Sequence, residues 1–479
     1  MDEAPVSRSR EGEAAPWRFY RAVWRWHFYA GLLVLPFLAW LALTGAAFLY
    51  QKPIDRFFHH DLKVVAPADG PRQPARTQLE AALRRQAGQV FRYVAPERAD
   101  ASAEVGIVAP EGSRQVVYVD PYRARVLGTL PEHGTVAWTI RRLHSLDLLG
   151  VPANAMIEVA AGWAILLVLT GFYLWWASAR APRKRPHGPA RGFGFAPRGR
   201  PRQRLFWRDL HATLGVSVGG VLLFLALTGL PWSWLWGAKV NAWLNGHDYG
   251  YPAGLRVQVP MSDQRLADAT VPAWSLRQAR LPRSEPHAGH EPAAHAAHAM
   301  AAGAGDYAPQ PGAIGLDAAL ARFDALDVAP GYAVSLPRGA EGVYTASVYP
   351  ADLARQRVVH LDQYSGRVLL DMRYADYGAL ARAAEWGINV HLGQQYGVAN
   401  QLVLLVACLG IVVLCASAVA MWWKRRPAGR LGVPPAPVDP RTLRVVTALL
   451  AIGGVLFPLT GLSMLVVLGL DRLWPGRHR

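Results

Sequence analysis

At 479 residues the chain is long enough for two or three structural units. Its 52% of hydrophobic residues, with 18 tryptophans, is more than a soluble protein usually carries. The net charge of +17 would suit a protein that binds nucleic acid, but the charge is not evenly spread. Residues 181–208 alone hold nine Lys or Arg and no acidic residue. Because short basic loops set the orientation of membrane spans, we exclude a nucleic-acid partner and expect a protein that contacts membrane lipid.

Apolar runs that match a hydrocarbon layer roughly 30 Å thick predict five transmembrane spans, at 27–50, 154–177, 212–236, 400–423 and 445–470. The first run is too long and too bulky for a cleaved signal peptide, so we interpret it as a retained anchor. The positive-inside rule assigns to the cytoplasm the segments 1–26, 178–211 and 424–444. It assigns to the external side the segments 51–153, 237–399 and 471–479.

Both long external segments have the pattern of one helix and a small antiparallel sheet. The first predicts a helix, four strands and an interfacial helix, at 77–87, 91–94, 104–108, 115–120, 126–130 and 135–149. The second predicts a helix, three strands and a hairpin, at 316–324, 332–336, 342–349, 357–361 and 362–369. The hairpin matches 120–127 of the first segment, with Ala124 in place of Gly366. We therefore predict two small α+β domains.

A repeat relates the two halves of the chain. His27, Gly31 and Thr44 recur as His211, Gly215 and Thr228, and the His-to-Thr spacing is 17 residues in both copies. His144 precedes the second span as His391 precedes the fourth, and Thr170 and Ser417 both lie twenty-six residues further on. The fifth span keeps Leu459, Thr460 and Gly461 but has no histidine. The pattern predicts an α-helical polytopic protein of two parallel repeats plus one extra helix.

Four histidines in two symmetric pairs suggest haem. Equivalent residues of parallel repeats lie at equal depth, so His27 would face His211 near the cytoplasm and His144 would face His391 near the external side. Facing imidazoles are the axial ligands that a b-type haem needs, and the sequence predicts two such haems. Gly31 and Gly215 would leave room for the macrocycle. Arginines close to the histidines would pair with the propionates: Arg25, Arg208, Arg141 and Arg142.

Other interpretations of these histidines remain open. Histidines at the ends of spans also occur at the lipid headgroups, and a metal ion could lie between two imidazoles, although few carboxylates or thiols stand near. Glu158 lies inside the second span, where it is a candidate for proton transfer or for an internal partner. A low-complexity insert is a candidate metal site or a flexible loop, and it contains His287, His290, His295 and His298. Spare ligand candidates are His59, His60 and His247.

These features together resemble a known family. The His-xxx-Gly…Leu-Thr-Gly helices, Leu143-His144, Trp175-Trp176 and the hairpin at 362–369 are similar to those of the PepSY-associated transmembrane proteins, over residues 17–425. The resemblance implies a bacterial inner-membrane protein with a cytoplasmic N-terminus and two PepSY-like periplasmic domains. It also implies haem ligation by His27, His144, His211 and His391.

The family includes ferrisiderophore reductases that contain haem. The resemblance therefore implies that electrons cross the inner membrane to reduce a periplasmic ferric siderophore, which releases Fe(II). The cytoplasmic segments contain no G-x-G-x-x-G loop and are too short for a flavin domain. The electron donor would then be quinol, a free reduced flavin or a separate reductase.

Two other classes of function stay open at this point. The first is a sensor without enzymatic activity, in which PepSY-like domains bind a peptide or regulate an external protease. The second is a metal-binding accessory of a transport system, in which the histidine-rich insert at 287–298 is the functional part. Both alternatives predict that the histidines of the spans tolerate replacement.

Overall fold

The computed structural model describes residues 15–180, 197–251, 258–285, 309–427, 432–434 and 440–473. The chain divides into two compact units. The membrane unit comprises Met1–Ala46, Leu143–Gly237 and Leu402–Arg479, and the sheet unit comprises Ala47–Arg142 and Ala238–Gln401. The histidine-rich insert at 287–298 lies outside the described residues.

The described residues contain the helices and strands predicted for the two halves of the chain, together with further short elements that the sequence analysis did not predict. In chain order the helices are α1 (Ala15–Phe48), α2 (Gln51–Phe58), α3 (His60–Lys63), α4 (Ala75–Arg85), α5 (Val136–His144), α6 (Val151–Arg180), α7 (Arg204–Gly229), α8 (Trp236–Gly246), α9 (Leu266–Ala269), α10 (Gly315–Ala325), α11 (Ala379–His391), α12 (Gly397–Arg425), α13 (Pro440–Leu456) and α14 (Pro458–Leu473). The strands are β1 (Gln89–Val94), β2 (Ala103–Val108), β3 (Arg114–Asp120), β4 (Arg125–Pro131), β5 (Met261–Arg265), β6 (Arg280–Pro282), β7 (Ala333–Ser335), β8 (Val343–Val348), β9 (Arg357–Asp362) and β10 (Val368–Arg373).

Four helices among the described residues are long and apolar enough to cross a bilayer, at Phe19–Phe48, Val151–Arg180, Arg204–Trp232 and Gly397–Arg425. They cover the first four predicted spans. Apolar side chains of α12 face outward, with 65% of Val406 and 56% of Leu409 exposed. A helix satisfies its backbone hydrogen bonds internally, as hydrocarbon requires. Because its outer side chains are also apolar, α12 suits contact with lipid.

The predicted fifth span is not one continuous helix. It divides at Phe457 into α13 and α14, of 17 and 16 residues. A Cβ built on Gly454 would lie 3.0 Å from the Cα of Gly461, so the chain turns sharply there. Pro458 explains the break, because proline starts a helix readily and lacks the N–H that would continue the previous one.

Small residues let the helices of the membrane unit pack closely. A Cβ added at Gly162 would lie 2.1 Å from Thr460 Oγ1, and one at Gly410 would lie 2.8 Å from a methyl carbon of Val218. Close approach through small residues is a common basis of helix association in membranes. Cys408 and Cys415 are buried in this core as apolar residues.

The sheet unit is built on one antiparallel sheet of eight strands, in the order β10-β9-β8-β7-β1-β2-β3-β4. Each of the two long segments, 51–153 and 237–399, supplies a helix and a four-stranded meander, as predicted. However, the two segments do not form two separate sheets. They join where β1 pairs with β7, with Arg92 opposite Ser335 and Val94 opposite Ala333. The pairing satisfies two sheet edges that would otherwise leave backbone groups free.

One face of the sheet is covered by α4 and α10. Leu79 and Leu83 of α4 and Leu316 and Phe323 of α10 are buried in one core with alternate residues of the central strands. The opposite face of the second meander has its own core, which includes Leu276 and Met372. Because both faces are covered there, β9 is buried along nearly its whole length.

The two hairpins of the repeat have the same local structure. Asp120 Oδ1 accepts the backbone N–H of Tyr122 at 2.9 Å, and Asp362 Oδ1 accepts that of Tyr364 at 3.0 Å. Two residues after these tyrosines, φ is 46° at Ala124 and 66° at Gly366. A residue with a side chain is unfavourable in this left-handed region. Ala124 therefore strains the first hairpin, whereas Gly366 does not strain the second.

We expect Ala124→Gly to raise the free energy of unfolding by about 0.5–1 kcal/mol, because glycine relieves this strain. The reverse change, Gly366→Ala, should lower it by roughly 1 kcal/mol or more, since the added Cβ would also lie 3.2 Å from Ile314 Cδ1. Thermal unfolding of the purified protein in detergent measures both. A destabilised Ala124→Gly variant would contradict this description of the turn.

His360 gives the sheet unit a predicted dependence on pH. The side chain is fully buried in β9, and its Nδ1 lies 2.8 Å from Thr345 Oγ1 on β8. Its Nε2 has no hydrogen-bond partner in the part of the chain that the structure describes. Burial lowers the pKa of His360 from 6.5 to about 3. The unfolded chain therefore binds this proton at a higher pH than the folded chain does.

Protonation of His360 should accordingly favour unfolding. Above about pH 6.5 His360 is neutral in both states and does not make the free energy of unfolding depend on pH. Below that pH the free energy of unfolding should fall by about 1.4 kcal/mol per pH unit as the pH drops toward 3. Thermal unfolding at pH 7.5, 6.5, 5.5 and 4.5 should show a shallower decline in His360→Phe than in the wild type. Equal declines in the two proteins would contradict the expectation.

Candidate functional site

His27 and His211 face each other in the membrane unit. The first lies on α1 and the second on α7, and both rings are partly buried. Their ring centres are 6.5 Å apart, and the ring planes are inclined at 86°. The predicted pairing of the repeat-related histidines is therefore present within one unit.

The spacing of the two rings suits two ligands of one metal. Metal–imidazole bonds of about 2 Å on opposite sides of an ion put the ring centres roughly 6 Å apart. On each ring the nitrogen that contacts a neighbouring helix is Nδ1. Gly31 and Gly215 leave the helix surfaces near the rings without side chains. A Cβ added at either glycine would lie 3.9 Å from a leucine methyl carbon. These residues would hold a haem, with the two imidazoles as nitrogen ligands of its iron and the glycines leaving the adjacent helix surfaces without side chains.

A hydroxyl on a neighbouring helix contacts each ring on its other nitrogen. His27 Nδ1 lies 2.9 Å from Thr170 Oγ1 of α6, and His211 Nδ1 lies 3.0 Å from Ser417 Oγ of α12. The repeat had aligned Thr170 with Ser417, but the sequence alone assigned no role to them. Their position beside the histidines follows from the packing of α1 on α6 and of α7 on α12.

His144 has the same environment as the first pair. At the end of α5 its Nδ1 lies 2.9 Å from Thr44 Oγ1 of α1. Gly45 allows the close approach, because a Cβ there would lie 3.2 Å from His144 Cε1. His391 is the last residue of α11 and belongs to the sheet unit. The pairing of His144 with His391 stays a prediction.

Each of the four arginines predicted to hold propionates already has an interaction within the protein. Arg25 is buried, and it donates to the carbonyl oxygen of Pro434 and to the Tyr29 hydroxyl. Arg208 pairs with Asp209 at 2.9 Å. Arg141 lies over the Trp138 ring with its guanidinium carbon 4.4 Å from the ring centre, and Arg142 follows it in α5. A role of these residues toward propionates remains a prediction.

Asp209 is a buried charged group that the sequence analysis missed. Its carboxylate is fully buried beside His211 in the chain, and Arg198 pairs with it from the other side at 2.6 Å. The signal was present in the Arg-Asp-Leu-His order of 208–211, where an acid stands alone after a long basic loop. Paired by two arginines, Asp209 anchors the start of α7 next to the histidine.

Glu158 lies in α6 with no exposed surface. Its Oε2 accepts the backbone N–H groups of Leu235 and Trp236, at 3.0 and 3.1 Å, at the start of α8. A carboxylate at this position satisfies orphan amides and complements the helix dipole. The expected internal partner is therefore a helix end. A role in proton transfer stays a prediction.

The remaining histidine candidates do not converge. His59 Nε2 accepts the N–H of Val136, and His247 Nδ1 lies 2.8 Å from the carbonyl oxygen of Trp243. His60 is exposed beside Asp61. The described residues contain no group of three or more His, Cys, Asp or Glu side chains that could hold a metal ion. A metal site made only of protein ligands thus has no support in this part of the chain.

The architecture defines a multi-pass membrane protein that carries an antiparallel sheet domain. Residues 24–425 match the family described as the PepSY-associated TM region. Since the match covers most of the chain, the protein belongs to this family. No curated protein matches the sequence.

Proposed function

We propose that this protein is a di-haem b protein of the bacterial inner membrane, which passes electrons across the membrane and reduces a periplasmic ferric siderophore. The observation that supports it best is the pair His27 and His211, with ring centres 6.5 Å apart. The resemblance of the sequence motifs to those of haem-containing ferrisiderophore reductases also supports the proposal.

The chain's own residues would hold and orient the haem on the cytoplasmic side. His27 and His211 would present Nε2 toward the iron, since Nδ1 of each ring is occupied by a hydroxyl. The buried pairing of Asp209 with Arg198 would fix the start of α7, and with it the depth of His211. Trp163, stacked on Trp26 with ring centres 6.3 Å apart, would help to exclude water.

Haem supplies reversible one-electron chemistry when it is bound. Hard oxygen donors of a siderophore hold Fe(III) more tightly than Fe(II), so reduction releases the metal and leaves the chelator intact. The basic loops favour a cytoplasmic N-terminus, which would put His27 and His211 on the side of the electron donor. The proposed donor is quinol, reduced flavin or a separate reductase.

The proposal includes a second haem site at His144 and His391, on the external side. Its support is the repeat in the sequence and the hydroxyl contact of His144, which matches those of His27 and His211. The sheet unit would lie in the periplasm, the compartment of the proposed substrate.

Reoxidation of the reduced protein tests the reaction. We expect the spectrum of anaerobically reduced protein to return to the oxidised form when a ferric siderophore is added, together with the appearance of Fe(II) that a chromogenic chelator traps. The matched control is the gallium complex of the same siderophore, which has nearly the same shape and charge but cannot accept an electron under these conditions. It should cause no reoxidation.

Two results would overturn the proposal. A haem-loaded protein that ferric siderophores do not reoxidise faster than buffer would exclude the substrate class. A protein without haem would exclude the reaction, and the PepSY sensor and the transport accessory would then be the functions to examine.

A further inference from the structure

Three histidines of the membrane unit share one arrangement that the sequence analysis left without a role. Nδ1 of His27, His144 and His211 lies 2.9–3.0 Å from a hydroxyl of another helix. The hydroxyls belong to Thr170, Thr44 and Ser417. Three independent packing contacts thus give the same pair of groups at the same distance.

The direction of these hydrogen bonds follows from counting protons. Each hydroxyl has one proton to donate. Thr170 Oγ1 lies 2.6 Å from the carbonyl oxygen of Leu166, Thr44 Oγ1 lies 2.8 Å from that of Trp40, and Ser417 Oγ lies 2.6 Å from that of Leu414. A carbonyl oxygen can only accept, so each hydroxyl proton is used within its own helix. The hydroxyl oxygen is then an acceptor toward the ring.

His211 provides a second line of evidence for the same direction. Its Nδ1 also lies 3.3 Å from the carbonyl oxygen of Leu414. Because this oxygen has no proton, Nδ1 must carry one if the contact is a hydrogen bond. In a neutral imidazole the other nitrogen, Nε2, is then unprotonated and has a free lone pair.

The Thr-Gly sequence explains how the ring reaches the hydroxyl. A Cβ on Gly171 would lie 3.3 Å from His27 Cε1, and one on Gly45 would lie 3.2 Å from His144 Cε1. Both distances are tighter than ordinary contacts. The glycine after the threonine therefore lets the imidazole lie against the helix backbone, with Nδ1 at the hydroxyl.

The same threonine–glycine sequence has another role elsewhere in the membrane unit. Thr460 and Gly461 of α14 keep the sequence, but the structure shows a different use. Thr460 is fully buried against Gly162, and its Oγ1 lies 3.5 Å from the carbonyl oxygen of Val159. Gly461 packs on Gly454. In this copy both residues serve helix packing.

We propose that Thr44, Thr170 and Ser417 are positioning residues that hold His144, His27 and His211 in the Nδ1–H tautomer, with Nε2 left free as a metal ligand. The effect on the metal rests on the proposed haem function. An acceptor on Nδ1–H makes the imidazole a stronger donor to a metal, as other second-shell partners of histidine do. These hydroxyls would therefore lower the reduction potential of the haem.

The test pairs a substitution that removes the hydroxyl with one that keeps it at the same position. Thr170→Val removes the acceptor, and Thr170→Ser keeps it; Ser417→Ala and Ser417→Thr form the second pair. Ser217→Ala is the matched control, because Ser217 Oγ also donates to a carbonyl one turn earlier in its own helix, that of Thr213, at 2.8 Å. The readouts are the haem midpoint potentials from a redox titration and the haem retained per chain.

We expect Thr170→Val to raise one haem midpoint potential by about 40 mV. This shift corresponds to a roughly fivefold change in the ratio of ferric to ferrous haem, at about 59 mV for each tenfold change. Haem affinity should fall by about tenfold. Thr170→Ser and Ser217→Ala should keep the wild-type potential. Potentials that are equal in the valine, serine and wild-type proteins would overturn the positioning role, while the haem proposal would stand.

The tautomer can be measured without haem, so failure of the proposed function leaves the inference testable. Solid-state nitrogen NMR of histidine-labelled protein should show Nδ1–H imidazoles, and His27→Ala and His211→Ala identify their signals. Thr170→Val should add an Nε2–H signal from His27. Finding Nε2–H rings at His27 and His211 in the wild-type protein would overturn the inference whether or not haem binds.

Discussion

Replacing His27 with alanine is expected to lower the haem content from two per chain to one. His211→Ala should have the same effect, because the two rings, 6.5 Å apart, would ligate the same iron. The double variant His27→Ala/His211→Ala should lose no more haem than either single variant. By contrast, His27→Ala/His144→Ala should lose both haems. Pyridine haemochrome counts on the purified variants measure each of these values.

This set of variants separates shared ligation from general damage. His360→Phe is the control, because His360 is a buried histidine of the sheet unit that we do not assign to haem. It should keep both haems. If the double variant at His27 and His211 lost twice as much haem as the single variants, the two histidines would serve different groups, and the pairing would be wrong.

Removal of the Glu158 carboxylate should have the largest effect on stability. Glu158→Ala leaves the N–H groups of Leu235 and Trp236 without their acceptor in a buried place. Each unsatisfied amide costs about 1–3 kcal/mol, so the variant should lose roughly 2–6 kcal/mol in the free energy of unfolding. Thermal unfolding and the yield of folded protein in detergent report the loss.

Glu158→Gln distinguishes a helix cap from a proton carrier. Its amide oxygen can accept the same two N–H groups, so this variant should keep most of the stability that alanine removes. A glutamine variant as unstable as the alanine variant would contradict the capping role. A stable glutamine variant with normal haem content but slow electron transfer would instead support proton transfer by Glu158.

The sequence was sufficient for those features that depend on local pattern. Apolar length predicted the four long spans, and alternation predicted the strands of each half of the sheet, because both reflect burial within a single element. The repeat placed His27 and His211 at equivalent positions, and the structure brings them together. Symmetry is visible in one sequence, which is why this pair could be predicted before its surroundings were known.

Features that depend on contacts between distant segments could not be predicted in the same way. The junction of β1 with β7 joins two sheet edges, and edge pairing leaves no pattern in either strand. The partners of Glu158 are donor N–H groups of the backbone, which every residue but proline has. Thr170 was visible as a repeat position, but its contact with His27 required the packing of α1 on α6.

The break at Phe457 had a local signal that hydropathy conceals. Apolar length alone predicts a continuous span over 445–470. Pro458 and the two glycines at 453 and 454 favour a bend there, and the structure turns between α13 and α14. Where a proline follows paired glycines, the local backbone preference outweighs the hydrophobic length.

The most direct test of the central claim is a dithionite-reduced minus oxidised visible spectrum of the purified wild-type protein, with the haem counted per chain. Our account predicts the spectrum of b-type haem with two haems per chain. One haem would retain the pair His27 and His211 and remove the external site. A colourless protein, produced in cells with ample haem, would contradict the claim that these histidines are haem ligands.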